Sequence, residues 1–292
     1  MVVDQIAPRI DYDALSDAEL DAMERKIAVK YIEKSTFGII AWGFSNTLIW
    51  LSLWPLAIMN ILPLWIILII ACLNACLAYL PSHEAQHGNI IKRSSPYFWI
   101  NELVGYISVI PLLSGYRILR ETHMLHHKYT NHPEKDPDIT FKSKNFLHAL
   151  WVNGVITRQS KNGYDLSNEF YQKNISKRAI SEHLYFYWFH WILMISLAWT
   201  GYGLVALCIW WIPRMIGTAY LQITLGWLPH RPMEKQGRYK DTRGWKAYTG
   251  TMLTQGMEYH IIHHLYPSIP LHKTPSAFRE MKYILELSLI HI

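Results

Sequence analysis

Residues 35–82 read STFGIIAWGFSNTLIWLSLWPLAIMNILPLWIILIIACLNACLAYLPS and contain no Asp, Glu, Lys or Arg. A helix needs roughly 20 predominantly apolar residues to cross the core of a bilayer. This stretch is therefore long enough for two crossings, which we place at about residues 37–59 and 61–80. Asn60 and Pro63 are typical turn residues and mark the connection between them. The stretch predicts a helical hairpin in a membrane.

A second stretch without acidic or basic side chains runs from residue 183 to residue 213. Extended past Arg214, it predicts another pair of spans at about residues 184–200 and 202–225, separated by a Gly-Tyr-Gly turn. The expected fold class is therefore all-α. The chain is expected to be a multi-pass membrane protein of two transmembrane hairpins, which makes four spans.

The 28 Lys and Arg residues lie before the first hairpin, between the two hairpins, or from Arg214 onward. The positive-inside rule then places these three segments, and both termini, on the cytoplasmic side. We expect them to form a helical cytoplasmic cap. Residues 97–116 are apolar but contain Glu102 and Pro111, so we expect an interfacial or re-entrant segment there. Ser16 to Glu19 fits a capping box that opens a solvated helix leading to the first span.

Composition excludes several classes of protein. With 292 residues, 51% hydrophobic and 17% charged, the chain is not disordered, and three Cys exclude a disulfide scaffold. The net charge of +6 is explained by contact with lipid headgroups, so nucleic acid is not an expected partner. We expect one domain over residues 1–286. Residues 287–292 resemble a translated sequencing adapter, so His291 is expected to carry no function.

Nine of the 15 His residues are patterned. His residues at positions i, i+3 and i+4 share one face of a helix, and three such groups follow or lie between the predicted spans, together with one isolated His after the last span. The groups are His83-Glu-Ala-Gln-His87, His123-Met-Leu-His126-His127 and His260-Ile-Ile-His263-His264, and the isolated residue is His230. His148, His183, His190 and His272 have no patterned partner, and we interpret them as structural.

The number of patterned imidazoles indicates two metal ions. Neutral imidazole binds zinc, copper, iron and nickel. A tetrahedral ion takes four ligands, so nine are too many for one such ion. They suit two ions of higher coordination number that keep room for oxygen or water.

Two other interpretations remain at this point. Residues 83–87 match HExxH, in which two His bind zinc and Glu84 acts as the general base of a metalloprotease. An intramembrane zinc protease would not need two further HxxHH groups. The other interpretation is a membrane protein that binds metal without catalysis. Outside a protease, we expect Glu84 to accept a hydrogen bond from the N–H of a metal-binding imidazole.

At these residues the chain resembles the membrane fatty acid desaturase/hydroxylase superfamily, whose pattern is three histidine boxes, two transmembrane hairpins and a cytoplasmic cap. The resemblance covers about residues 35–285. Residues 126–138 (HHKYTNHPEKDPD), and the stretches 228–232 (LPHRP) and 259–270 (YHIIHHLYPSIP), are most similar to the β-carotene ring hydroxylase type.

The resemblance implies a non-haem di-iron enzyme that uses dioxygen to attack an unactivated C–H bond. Hydroxylation of a carotenoid β-ring is the leading expectation, and desaturation of a fatty-acyl lipid is the alternative. An Asn that some desaturases carry one turn before the isolated His is replaced here by Gly226. The resemblance implies supporting roles for Asp136, Asp138 and His132. The implied iron ligands are His83, His87, His123, His126, His127, His230, His260, His263 and His264.

The sequence shows no cysteine set for an iron–sulfur cluster, no haem-binding appendage and no GxGxxG motif. We therefore expect an external electron donor such as a ferredoxin with its reductase. Basic residues near the boxes are candidates to bind an acidic donor, with headgroup contact as the other explanation. They are Arg117, Arg120, Lys128, Arg231, Lys235 and Arg238. An apolar substrate is expected to enter between the spans and residues 97–116, and the interfacial belt is expected at Trp50, Trp54, Trp210 and Trp211.

Overall fold

The computed structural model describes residues 15–33, 35–152, 169–247 and 250–287, and this part of the chain contains α-helices and no β-strand. Residues 288–292, which make up nearly all of the adapter-like segment, lie outside the described residues. In chain order the α-helices are α1 (Asp17–Lys30), α2 (Phe37–Ile58), α3 (Leu64–Leu77), α4 (Tyr79–His87), α5 (Phe98–Ser108), α6 (Tyr116–Tyr129), α7 (Phe146–Trp151), α8 (Glu169–Asn174), α9 (Lys177–Trp199), α10 (Gly203–Trp227), α11 (Thr251–Thr254), α12 (His260–Leu265) and α13 (Thr274–Leu287).

The first predicted hairpin is present. Helix α2 matches the predicted span 37–59 almost residue for residue, and Asn60 takes the left-handed conformation (φ 54°) expected of a tight turn. The second helix is longer than predicted, because α3 and α4 form one apolar helix from Leu64 to His87. The membrane helix therefore continues into the first histidine box and fixes its orientation.

The second predicted hairpin is only partly confirmed. Helix α10 is long and apolar enough to cross a membrane, as are α2 and the helix Leu64–His87. Helix α9, which contains the predicted span 184–200, is not among these three, because Glu182, His183 and His190 make it more polar. The structure thus has three helices that are long and apolar enough to span a membrane and one further candidate, and the arrangement of four spans in two hairpins stays a prediction.

That further candidate is a bent pair formed by residues 98–112 and helix α6. The two parts meet at 98°, as in a broken span or a re-entrant loop, so the structure supports three or four membrane-spanning elements. The 97–116 segment predicted to be interfacial or re-entrant is the first arm of this pair. The bend turns α6 away from α5 and points its histidine face toward α4.

Helix α10 packs closely on α3. Gly217 lies so near that an added Cβ would be 2.8 Å from the Cβ of Ala75. In the adjoining core, Trp50 and Trp210 are buried with their rings edge to face at 5.1 Å, and Trp50 Nε1 donates to the Ile209 carbonyl at 3.3 Å. These two tryptophans therefore stabilise helix packing and do not belong to the predicted interfacial belt.

Helix α1 begins with the predicted capping box, in which the Glu19 carboxylate accepts a hydrogen bond from the Ser16 N–H at 2.8 Å. It is not simply solvated. Leu20 and Ile27 are buried against Ile261 of α12 and Met281 of α13. The N-terminal helix is thus packed onto the third histidine box.

We predict that Gly217→Val lowers the midpoint temperature of thermal unfolding in detergent. Overpacking a tight helix contact costs typically about 1–3 kcal/mol, and Ala75 leaves no space for the new side chain. Gly38→Val is the matched control, because no atom lies within 4 Å of a Cβ added there. Equal effects of the two substitutions would contradict the tight packing of α10 on α3.

Candidate metal centre

Four separate segments carry the nine patterned histidines. Helix α4 carries the first box, α6 the second and α12 the third, while His230 follows the end of α10. Six of the nine side chains are buried and three are half-buried. The half-buried side chains are His87, His127 and His264.

The first group combines all three boxes. His83, His87, His123 and His263 each offer a nitrogen, and these four atoms lie within 4.8 Å of one another. The Nε2 atoms of His87 and His123 are 2.9 Å apart. His127 completes the group, since its Nε2 lies 3.1 Å from His123 Nε2 and 3.0 Å from His263 Nε2.

The second group contains the isolated histidine. His126, His230 and His264 offer nitrogens within 4.8 Å of one another. The ring of His260 lies beside them, with its centroid 4.7 Å from that of His264 and 5.5 Å from that of His230. The structure therefore brings together all nine predicted histidines, divided five and four between two adjacent groups.

The nitrogen positions fit metal ions. Two nitrogens bound to one ion at roughly 2.1 Å and at right angles lie about 3.0 Å apart, which is the separation found in the first group. A shared proton explains only one such pair at a time, whereas His127 Nε2 has two of these neighbours. Several further ring nitrogens are buried and have no hydrogen-bond partner among the described residues, namely His83 Nδ1 and Nε2, His230 Nε2 and His264 Nε2.

Burial also favours the protonation state that binds metal. It lowers the pKa of His230 to about 3 and those of His260, His263 and His264 well below the usual value, in each case because the charged ring would lose its hydration. Neutral imidazole is the form that binds a metal ion. These residues are consequently ready to act as ligands throughout the neutral pH range.

Hydrogen bonds at Nδ1 orient the rings of two histidines of the second group, His126 and His230. A carboxylate only accepts hydrogen bonds, so the 2.8 Å contact between Asp136 Oδ1 and His126 Nδ1 assigns the hydrogen to Nδ1. The Asp241 carbonyl accepts from His230 Nδ1 at 3.1 Å in the same way. In both rings Nε2 is left for a metal ion, the usual arrangement for metal-binding histidine.

The other predicted supporting residues behave differently. Asp138 lies 3.7 Å from His126 Nδ1, and its backbone N–H donates to Asp136 Oδ1 at 2.9 Å. His132 is not in either group, since its Nδ1 accepts hydrogen bonds from two backbone N–H groups of the following loop, those of residues 134 and 135. The structure therefore shows Asp138 supporting Asp136, and His132 shaping the loop.

Glu84 does not make the hydrogen bond expected of it. Its Oε1 is 3.9 Å from His83 Nδ1, which is too long, and its Oε2 accepts from the Leu271 N–H at 3.2 Å. Leu271 lies a few residues after the third box, so Glu84 ties the first box to the segment that follows α12. This position differs from that of a general base facing a metal in an HExxH protease.

Two supporting residues were not predicted from the sequence. Asn131 donates from its side chain to the Asp241 carbonyl at 2.9 Å, and its N–H donates to Asp136 Oδ2 at 2.7 Å. Asn131 thereby links Asp136 and Asp241, whose oxygens accept hydrogen bonds from His126 and His230 respectively. Asp241 acts through its backbone, which no residue pattern reveals, but the HHxxxNH run around Asn131 is a visible signal.

A cleft of about 460 Å³ opens onto the second group. His126 and His230 lie at its base with Trp227, and Lys142 and Arg231 line its mouth. Gly226 also lines the cleft, where an added Cβ would be 2.5 Å from the ring of Phe141. This contact explains why the position of the Asn found in some desaturases is occupied here by glycine.

Three to four membrane-spanning elements and two imidazole groups that could hold metal ions define a class of protein, the helical membrane proteins built on histidine boxes. Residues 59–292 match the fatty acid desaturase family, and the chain belongs to that family. It is an integral membrane protein. The expected superfamily is therefore confirmed, whereas the carotenoid hydroxylase type stays a prediction.

Curated relatives are desaturases. The chain is 28% identical over 222 residues to a dihydrorhizobitoxine desaturase of Bradyrhizobium elkanii, an alignment covering 66% of this chain and 61% of that protein. It is 20% identical over 231 residues to an sn-1 oleoyl-lipid 12-desaturase of a Picosynechococcus strain, covering 70% and 65%. A like-named Anabaena variabilis protein is 32% identical over 96 residues, covering 32% and 25%. The chain thus spans less than two thirds of the length of these relatives.

We predict that His83→Ala and His230→Ala each reduce the bound metal by one ion per chain, because each removes a ligand from a different group. Metal content is measured by mass spectrometry on protein purified in detergent. His272→Ala is the control, since His272 is exposed and pairs with Glu33 at 3.2 Å, away from both groups. Loss of both ions from each single variant, or of none, would contradict two separate sites.

Proposed function

We propose that the chain is a dioxygen-dependent, membrane-embedded di-iron oxidoreductase that desaturates an apolar lipid, with a fatty-acyl chain as the substrate. The observation that carries this proposal is the pair of buried imidazole groups within a chain of the fatty acid desaturase family. The relatives named above, which are desaturases, support desaturation over hydroxylation.

The two groups suit iron because imidazole binds it well and because the number of ligands exceeds that of a tetrahedral zinc site. The first group would hold one ion through His83, His87, His123, His127 and His263. The second would hold the other through His126, His230, His260 and His264. When bound, a pair of ferrous ions supplies the activation of dioxygen needed to break an unactivated C–H bond.

The contribution of the protein is to position the ligands and to exclude water. The buried boxes keep the reacting region dry, which protects a reactive oxidant from side reactions. Asp136 holds the ring of His126, and the Asp241 carbonyl holds that of His230, so both keep Nε2 directed at the second ion. The substrate is a membrane-dissolved molecule, and we propose that it reaches the site between the apolar helices and residues 97–116.

Orientation in the membrane follows from charge. The connections at residues 59–63 and 200–203 carry no charged side chains, whereas the histidine boxes are flanked by Lys and Arg. Under the positive-inside rule we propose that the boxes, the described N-terminal helix and the C-terminal helix lie on the cytoplasmic side. This is where a soluble electron donor can reach them.

Hydroxylation of a carotenoid β-ring is the second candidate. Residues 126–138, 228–232 and 259–270 resemble β-carotene ring hydroxylases. Within them lie the Asp136–His126 contact and all four histidines of the second group. The same centre suits both reactions, because hydroxylation and desaturation begin with removal of one hydrogen and differ in the second step.

We propose that electrons come from another protein, a proposal supported by a sequence that shows no iron–sulfur, haem or GxGxxG motif. Three of the six basic residues considered for donor binding are neutralised by ion pairs. Arg117 pairs with Glu182 at 2.9 Å, Arg120 with Glu102 at 3.2 Å and Arg238 with Glu24 at 2.5 Å. These three are therefore less suited to bind an acidic partner.

Of the three remaining basic residues, Lys128 lies over the ring of Tyr129, whereas Arg231 and Lys235 lie near the cleft, as do two further lysines. Arg231 lines its mouth together with Lys142 and Lys144, and Lys235 follows the lining residue Glu234. None of these four basic side chains forms an ion pair with any residue that the structure describes. We propose that an acidic ferredoxin-like donor binds over this cleft, where the second group is nearest the surface.

The proposed reaction is tested by expressing the chain in cells that contain both acyl lipids and β-carotene, followed by analysis of fatty acids and pigments. We expect a new double bond in an acyl chain. Hydroxylated carotenoid without new unsaturation would instead establish the second candidate. Neither product, with iron bound and a reducing system present, would favour a non-catalytic metal protein, and bound zinc with peptidase activity would favour the protease interpretation.

We predict that Lys142→Glu combined with Lys144→Glu raises the KM for an acidic ferredoxin about tenfold or more, because opposite charges at the cleft become like charges. The iron content is expected to stay unchanged, since both side chains are exposed and neither belongs to the two histidine groups. Lys26→Glu on α1 is the control for a change in net charge. Turnover is measured at low and high salt, and an unaltered KM at low salt would place the donor elsewhere.

A further inference from the structure

The carboxylate of Glu24 is fully buried although it belongs to the polar helix α1. Its Oε1 accepts hydrogen bonds from Arg238 Nη2 at 2.5 Å and from the Tyr266 hydroxyl at 2.7 Å. Its Oε2 accepts from the Tyr239 hydroxyl at 2.9 Å. A buried charge is tolerated only when it is paired and hydrogen-bonded, and here both oxygens are satisfied.

Arg238 strengthens the same arrangement. Its guanidinium lies 5.1 Å from the ring centroids of both Tyr239 and Tyr266, and it donates to the Tyr266 hydroxyl at 2.8 Å. The four side chains therefore form one closed network, which we name the Glu24 network: Glu24, Arg238, Tyr239 and Tyr266. It joins the N-terminal helix to two segments that are distant in sequence.

One of these segments carries the third histidine box. Tyr266 follows the last residue of α12, and its N–H donates to the Ile262 carbonyl at 2.8 Å. It comes two residues after His264. Holding the hydroxyl of Tyr266 therefore fixes the end of the short helix that presents His264 to the second group.

The other segment holds His230 in place. Tyr239 has a left-handed backbone (φ 70°), which is unfavourable for a bulky residue and persists only where contacts enforce it. Two residues later, the Asp241 carbonyl accepts from both His230 Nδ1 and the Asn131 side chain. The Glu24 hydrogen bond to Tyr239 thus supports the backbone that orients His230.

We propose that Glu24 is a positioning residue for the second metal ion, acting through Tyr239 and Tyr266 on His230 and His264. The inference rests on the proposed di-iron function. The first group depends on Glu24 much less, because His83, His87, His123 and His127 lie on α4 and α6, and only His263 comes from α12.

The experiment compares the release of iron from the full-length wild type and from Glu24→Gln to an excess of a ferrous chelator. Substitution of a residue that orients metal ligands typically weakens metal binding by about 10–100-fold. We expect one of two irons to leave Glu24→Gln faster by about that factor while the other leaves at the wild-type rate.

Glu280→Gln is the matched control. Glu280 of α13 binds the other end of α1 through Lys30 and accepts a hydrogen bond from Tyr31 at 2.7 Å, with no contact to the loop of Tyr239 or to Tyr266. The Glu280→Gln substitution is therefore expected to weaken the attachment of α1 and to leave the release rates of both irons unchanged. Should Glu24→Gln fail to fold, Tyr266→Phe removes a single hydroxyl of the network and is expected to show the same selective loss.

Several outcomes would overturn the proposal. Unchanged release from Glu24→Gln would do so, as would equal acceleration for both irons in Glu24→Gln and Glu280→Gln, which would mean that α1 supports the fold in general. Wild-type protein that cannot be loaded with two irons would contradict the proposed function itself. The two failures are therefore distinguished by the wild-type iron content.

Discussion

The convergence of nine imidazoles in a buried space is the constraint on which the rest of the structure depends. The Nε2 atoms of neighbouring histidines in the first group are 2.9–3.1 Å apart, and their lone pairs repel one another unless a proton or a cation lies between them. A neutral imidazole carries a single N–H, and one shared proton cannot relieve both contacts of His127 Nε2 at once. A divalent ion in each group would make the arrangement favourable, and metal binding would then be coupled to the packing of α4, α6 and α12.

The geometry of an α-helix explains how three boxes serve two groups. Neighbouring residues on a helix point about 100° apart. His126 and His127 are neighbours on α6 and belong to the second and first group respectively. His263 and His264 are divided in the same manner on α12. Each HxxHH box therefore supplies both groups, which holds the two groups side by side.

Much of this arrangement was predictable from the sequence. The absence of charge over residues 35–82 predicted α2 almost to the residue. The periodic spacing singled out nine histidines that the structure brings together, and their role as metal ligands stays a prediction. The division into two groups was not predictable, because spacing shows which side chains share a helix face but not which faces meet. The first span of the second hairpin, at residues 184–200, stays a prediction, because Glu182 and two histidines make α9 less apolar than the three helices that qualify as spans.

Other features depend on contacts between distant segments, which a sequence pattern does not record. The sequence does not reveal that three of the arginines form ion pairs. In the structure a carboxylate from another helix pairs with each of Arg117, Arg120 and Arg238. Helix α1 has the composition of a solvated helix, yet it buries Glu24 in the network with Tyr266. Asp241 contributes a carbonyl oxygen, so its side-chain type carries no information about its role.

The two groups differ in their surroundings, and the difference bears on how the centre works. The first group is built from the end of a membrane helix, with His83 and His263 fully buried. The second is held by loop residues, Asp136 and Asp241, and lies at the base of a cleft. Rigid packing around the first group suits the exclusion of water during attack on an apolar C–H bond. Under the proposed function, the cleft at the second group would give the aqueous side its approach, so one centre would serve a substrate from the lipid phase and a soluble electron donor at once.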